Sequence, residues 1–73
     1  MSPKPLNVEL YAIGTEVVYG LTLDTNTHWL AQEVVRLGGD VRRVIKLHDE
    51  FDVLVDAFGE SVARGADIVI STG

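Results

Sequence analysis

The sequence predicts an α/β fold: three parallel strands in a βαβαβ arrangement, strand order 2-1-3, with a helix layer on each face of the sheet. Three observations carry this. Short runs rich in Val, Ile and Tyr alternate with stretches of helical period. The connections between most of them are short, which demands parallel pairing and right-handed crossovers. The last run, Ile68-Val69-Ile70, is apolar throughout, as is usual for a strand covered on both faces.

Taken in order, Val8–Ile13 reads as the first strand, ending at Gly14. Asp24-Thr25-Asn26 is a cluster of side chains able to accept from the free N–H groups of a first helical turn. The helix it starts runs to about Leu37, with Leu30, Ala31, Val34 and Leu37 on one face and Gly38-Gly39 to end it. Val41–Leu47 is a second strand, interrupted by charge and therefore peripheral. Asp49 or His48 is expected to cap a second helix, whose apolar positions Phe51, Leu54, Val55, Phe58 and Val62 form one stripe. Gly65 ends that helix, and Ile68–Ser71 forms the third strand, expected towards the middle of a sheet that continues past it. Residues 1–6 read as an N-terminal extension and residues 7–73 as one small domain.

Composition narrows the function. The chain has 73 residues, a hydrophobic content of 47% and a net charge of −5. That acidity argues against a nucleic-acid partner, whose binding modules are normally basic. Arg42, Arg43 and Lys46 form a basic cluster that reads as a solvated strand edge. No apolar run approaches the roughly 18–20 residues of a membrane span, and Met1–Pro5 has no apolar h-region of a secretory signal behind it. The absence of cysteine excludes disulfides, thiolate metal sites and a thiol nucleophile, so a cytoplasmic location is expected.

In the 2-1-3 order, ligands bind where the chain reverses direction, at the carboxyl ends of strands one and three. The loops that meet there open at Gly14 and at Thr72-Gly73. The first, Gly14–Asn26, is long for a strand-to-helix connection, and long loops in this place tend to be functional. It contains neither G-x-G-x-x-G nor G-x-x-x-x-G-K-[ST]. A phosphoacceptor site is excluded too, since strand one is followed by Glu16 alone and strand three ends in Thr72. Backbone N–H groups at Gly14, Thr15 and Gly73 can form an anion-binding nest, and helix starts near Asn26 and Asp49 would add partial positive charge. Glu16 and Asp49 are oxygen ligands of the kind a divalent cation takes beside phosphates, although Asp49 also suits a plain helix cap. His28 and His48 lack metal-ligand spacing and read as capping or surface residues. Tyr19 either stacks on a base or packs on its own protein, and Trp29 lies off the apolar stripe of its helix.

Gly14-Thr15-Glu16, Gly20, Asp24-Thr25-Asn26 leading into a glycine-ended helix, Asp49-Glu50 and Asp67–Gly73 together resemble the molybdopterin-binding-like fold. Within it the chain most resembles the N-terminal domain of the competence/damage-inducible CinA family. Related molybdopterin molybdenumtransferases carry a longer insertion before the Asp-Thr-Asn element. The resemblance spans residues 7–73 and about the first half of the family domain; the family's glycine-rich loop and following acids would lie beyond Gly73. It implies a phosphorylated, nucleotide- or pterin-like ligand such as ADP-ribose, hydrolysed at its pyrophosphate with a divalent metal ion. Glu16 and Asp49 would then be the catalytic and metal-binding candidates. Gly14, Thr15, Gly20, Asp24, Asn26, Thr72 and Gly73 would line the ligand. Two alternatives stand beside this: a pterin- or nucleotide-binding module without hydrolysis, and a non-catalytic fragment that self-associates. The 73 residues alone are expected to be inactive, and to form a homo-oligomer or associate with the other half of the domain.

Overall fold

A computed structural model describes residues 4–73, so the expected extension over residues 1–6 lies partly outside the described residues. The elements run β1 (Asn7–Ile13), α1 (Thr15–Val18), α2 (Asn26–Arg36), β2 (Asp40–Leu47), α3 (Phe51–Ala63) and β3 (Ile68–Thr72). The three strands form one parallel sheet in the order β2-β1-β3, as the crossover argument requires. Strand and helix bounds agree with the sequence reading to within a residue or two. The difference is α1, a single turn inside what reads as a continuous loop. It exists because the Gly14 carbonyl accepts from both Val17 and Val18 N–H at 3.1 Å.

β1 is the centre of this sheet, and Val8, Glu9, Leu10, Tyr11 and Ala12 are all buried. Among the described residues, β3 pairs with β1 alone. Alternation along β1 divides the core into two layers. On one face, Val8 and its even-numbered neighbours meet α2, where Val34, Gly39, Ile68 and Ile70 help line an apolar groove of about 260 Å³. On the other, Glu9 and Tyr11 meet α3. The two long helices therefore lie on opposite faces. Leu37, expected on the buried side of α2, is its exposed C-cap.

The α3 face departs from expectation. An amphipathic helix normally lays its apolar stripe on the sheet. Here Ala57 and Ser61 are the buried residues, while Phe51 stays 79% and Val62 78% exposed. Polar contacts set the rotation of the helix. The Tyr11 hydroxyl donates to the Ala57 carbonyl at 2.8 Å and lies against Ser61 Oγ. Ser61 Oγ in turn donates to Glu9 Oε1 at 2.6 Å, and Arg64 Nε donates to Glu9 Oε2 at 2.7 Å. Phe58 alone of the aromatic pair on this stripe reaches inward, tilted against Tyr11 with centroids 5.4 Å apart.

A bulge completes the arrangement. The β1–β2 register shifts between Val8 and Glu9, leaving Arg42 without a partner and bringing Arg43 opposite Glu9. Arg43, read from sequence as part of a solvated edge, instead turns inward and donates from Nε to Glu9 Oε1 at 3.0 Å. Glu9 is 0% exposed. Burial alone would raise its pKa, but the bonds from Ser61 and Arg64 and the charge of Arg43 outweigh this and hold the carboxyl below its ordinary value.

Candidate functional site

The carboxyl ends of β1 and β3 come together because Ala12 pairs with Thr72, and Ile13 pairs with Leu47 on the other side. Gly14, Thr15, Glu16, Thr72 and Gly73 thus share one end of the sheet. Two of these positions need glycine. Gly14 has φ 158° with ψ 128°, and a Cβ there would fall 2.5 Å from Glu16 Oε1. Gly73 has φ 130°, and a Cβ would collide with the Ile13 carbonyl oxygen. The apolar groove beside Leu6 and Val8 lies at the opposite end of the strands.

The expected anion nest is altered in one respect. The Gly14 N–H donates to the Leu47 carbonyl at 2.9 Å, so it is not available to a ligand. The N–H groups of Thr15 and Gly73 remain of the expected set, and that of Glu16 joins them, since Thr15 and Glu16 open α1 and have no intrahelical acceptor. Helix α1 is too short to contribute a sizeable dipole, so these are local donors.

The Glu16 carboxylate folds back over Gly14 and is exposed, with no side-chain partner among the described residues. Asp49 is exposed in the β2–α3 turn. Neither it nor His48 caps α3. Glu50 takes the N-cap position in extended conformation and forms no side-chain cap bond. Its N–H donates to the His48 carbonyl at 2.8 Å, which closes the turn one residue later than expected. Among the described residues, no three His, Cys, Asp or Glu side chains gather closely enough to hold a metal ion.

Gly20, Asp24 and Asn26 shape the loop and the first turn of α2. Gly20, at φ 76°, turns the chain so that Leu21 and Thr22 N–H both return to the Glu16 carbonyl, at 2.8 and 3.2 Å. Asp24 Oδ1 accepts the Thr27 N–H at 3.1 Å and Oδ2 accepts the Thr27 hydroxyl, which fastens the first turn of α2. Burial raises the Asp24 pKa, but both Thr27 bonds, the Lys46 charge and the Asn26 N–H outweigh it, and the carboxyl sits below its ordinary value. Asn26 is exposed as the first residue of α2.

His48, read from sequence as a capping or surface residue, instead joins two loops. Its Nδ1 lies 3.2 Å from Thr15 Oγ1, and its ring meets Tyr19 edge-on, centroids 5.2 Å apart at 72°. No spacing rule signals this contact, because it joins the loops after β1 and β2. Trp29 remains exposed on α2, and His28 is exposed beside it.

Comparison with known proteins identifies the family and the fold. Residues 9–73 match the family described as "Probable molybdopterin binding domain". A protein of Pyrobaculum calidifontis is 41% identical over 64 residues, covering 88% of this chain and 24% of that protein. One from Sulfurisphaera tokodaii is 40% identical over 65 residues, covering 89% and 25% respectively. The chain thus spans about a quarter of the length of these curated relatives. A crystal structure described as "the protein CinA with unknown function from Thermoplasma acidophilum" superposes with a TM-score of 0.87 at 27% identity, over 97% of this chain and 41% of that one.

Proposed function

From the premise that the chain belongs to the molybdopterin-binding domain family, in a form with the fold of CinA, we propose that it binds a phosphorylated, nucleotide- or pterin-like ligand. The ligand sits at the carboxyl ends of β1 and β3. The observation that carries this reading is the meeting of the Gly14–Glu16 turn with Thr72-Gly73 at the switch point of a 2-1-3 sheet. Both glycines there permit close approach of a ligand to backbone, and the Thr15 and Glu16 amides offer donors to phosphate oxygens. A cytoplasmic setting goes with this ligand class.

The finer reading is metal-dependent hydrolysis of the pyrophosphate of ADP-ribose by the whole protein. In that case Glu16 and Asp49 would contribute oxygen ligands to a divalent cation, and other groups would be needed to complete the site. No hydrolytic step follows from these two carboxylates alone.

Calorimetric titration of the chain with ADP-ribose and with inorganic pyrophosphate tests the binding reading. Saturable binding is expected, weakened at least tenfold by Gly73→Ala. Glu16→Gln is expected to preserve metal-free binding, since it removes a negative charge beside the phosphates, while abolishing any gain on adding Mg2+. Absence of saturable binding to either probe overturns the proposal.

A further inference from the structure

Tyr19 stands at the C-cap of α1, its N–H held by the Thr15 carbonyl at 3.0 Å and its residue surface 67% exposed. An exposed tyrosine ordinarily samples several rotamers. This one is braced. The His48 imidazole meets it edge-on, an arrangement favoured by the aromatic quadrupole. His48 is itself half-buried and oriented by the Thr15 hydroxyl. The turn that carries His48 is tied to the first loop by the Gly14 N–H on the Leu47 carbonyl. Two loops at the carboxyl end of the sheet therefore cooperate to hold one aromatic ring, one helical turn along α1 from the Thr15 and Glu16 amides.

We propose that Tyr19 is the wall on which the flat heterocycle of the ligand stacks, with His48 as the positioning residue that fixes the ring. This rests on the reading above and adds the ligand's shape: an aromatic ring at Tyr19 joined to a phosphorylated tail that reaches Thr15, Glu16 and the Thr72-Gly73 end. Every base or pterin offers a π face, so stacking selects for a ring without selecting which one. Braced in advance, Tyr19 loses little rotamer freedom on binding.

The test compares ring-bearing and ringless probes on the same variants, using ADP-ribose, ribose 5-phosphate and pyrophosphate. Tyr19→Ala is expected to weaken ADP-ribose about tenfold and to change the two ringless probes less than twofold. Tyr19→Phe should restore ADP-ribose binding, because it keeps the π face. His48→Ala should weaken ADP-ribose about threefold and again spare the ringless probes, an effect that general loop damage would not produce. Upfield shifts of the adenine protons on binding, lost in Tyr19→Ala, provide an independent signature. Equal weakening of all probes in Tyr19→Ala, or no change in any, overturns the inference and leaves the phosphate site standing. If the unaltered chain binds pyrophosphate and ADP-ribose equally well with no upfield shift, the ring wall is likewise wrong. If it binds no probe, the proposed function fails first and this inference falls with it.

Discussion

Replacing Glu9 by Gln changes one atom's identity in a side chain that touches three partners. Glu9 receives Arg43 Nε at 3.0 Å, Arg64 Nε at 2.7 Å and Ser61 Oγ at 2.6 Å, and the side chain is wholly buried. Gln keeps one acceptor oxygen but points an NH2 group at a guanidinium and removes the charge that neutralises both. Removing one partner of a buried ion pair typically costs about 3–5 kcal/mol. The side chain of Arg64 is 46% exposed and can swing into water, so its share is small, whereas that of Arg43 is 18% exposed and cannot easily do so. We therefore expect a loss of about 2–3 kcal/mol, a large fraction of the several kcal/mol available to a chain of this size. Urea unfolding followed by far-UV circular dichroism measures it. A double-mutant cycle with Arg43→Met should show coupling of about 1–2 kcal/mol, because removing both partners leaves no buried orphan charge. The pH dependence has a definite sign. The folded-state pKa of Glu9 lies below its ordinary 4.5, so its stabilisation is present above that value and is lost as pH falls below it through the folded pKa. The unaltered chain should lose stability through that window faster than Glu9→Gln does. A loss below about 0.5 kcal/mol, an additive cycle, or parallel acid profiles would refute the account of Glu9 as the fastening of α3.

Three further predictions are independent of Glu9. Gly14→Ala puts a side chain at a φ that L-residues rarely adopt, the exposed Glu16 carboxylate being able to move aside, and should lower stability by about 1–3 kcal/mol in thermal unfolding; an unchanged melting temperature would contradict the geometry. Asp24→Ala removes both bonds to Thr27 and should cost about 1 kcal/mol, with Asp24→Asn recovering part of it; equal stability of the two variants would show that the cap is not the cause. The stripe of Phe51, Val55, Phe58 and Val62 leaves apolar surface uncovered on α3, so the free chain should associate as concentration rises. Phe51→Lys with Val62→Lys should shift sedimentation towards monomer, and a chain that is monomeric before substitution at high concentration would refute this.

Strand order and element bounds were legible because they depend on local period and on crossover handedness, both of which act within a few residues. The Gly14 and Gly73 ends were legible for a similar reason: a strand followed by glycine at a switch point leaves few alternatives. The orientation of α3 was not. Its apolar stripe predicted one buried face, but the helix is turned by Tyr11, which bonds Ala57 and lies against Ser61, and by Glu9, which bonds Ser61 and, 55 positions away in sequence, Arg64. Glu9 itself carried a signal, a charge in a strand that after Asn7 is otherwise made of Val, Leu, Tyr, Ala and Ile. Arg43 carried a misleading one, since its inward direction depends on the Arg42 bulge, which shifts the alternation by one residue. His48 and Tyr19 meet through loops from different strands, and no pattern along either loop records that contact.

β1 therefore has two ends with different tasks. Its first half fastens the other elements: Asn7 N–H donates to Asp67 Oδ2 at 2.7 Å and the Asp67 N–H returns to the Asn7 carbonyl at 2.8 Å, while Glu9 holds α3 and β2. Its second half delivers Gly14 to the candidate site, where Leu47 and Thr72 flank it. Glu9 lies four residues before Ile13, about 13 Å along the strand, and none of its partners is among the residues of the site. A lesion at the first end should then lower stability without altering the second. Glu9→Gln, assayed well below its melting temperature, is expected to bind pyrophosphate as the unaltered chain does. Gly73→Ala, far from the ion cluster, is expected to lose binding with the acid profile of Glu9 intact. If Glu9→Gln weakens binding in proportion to its loss of stability at a temperature where it is fully folded, the two ends are coupled through the strand and this division is wrong.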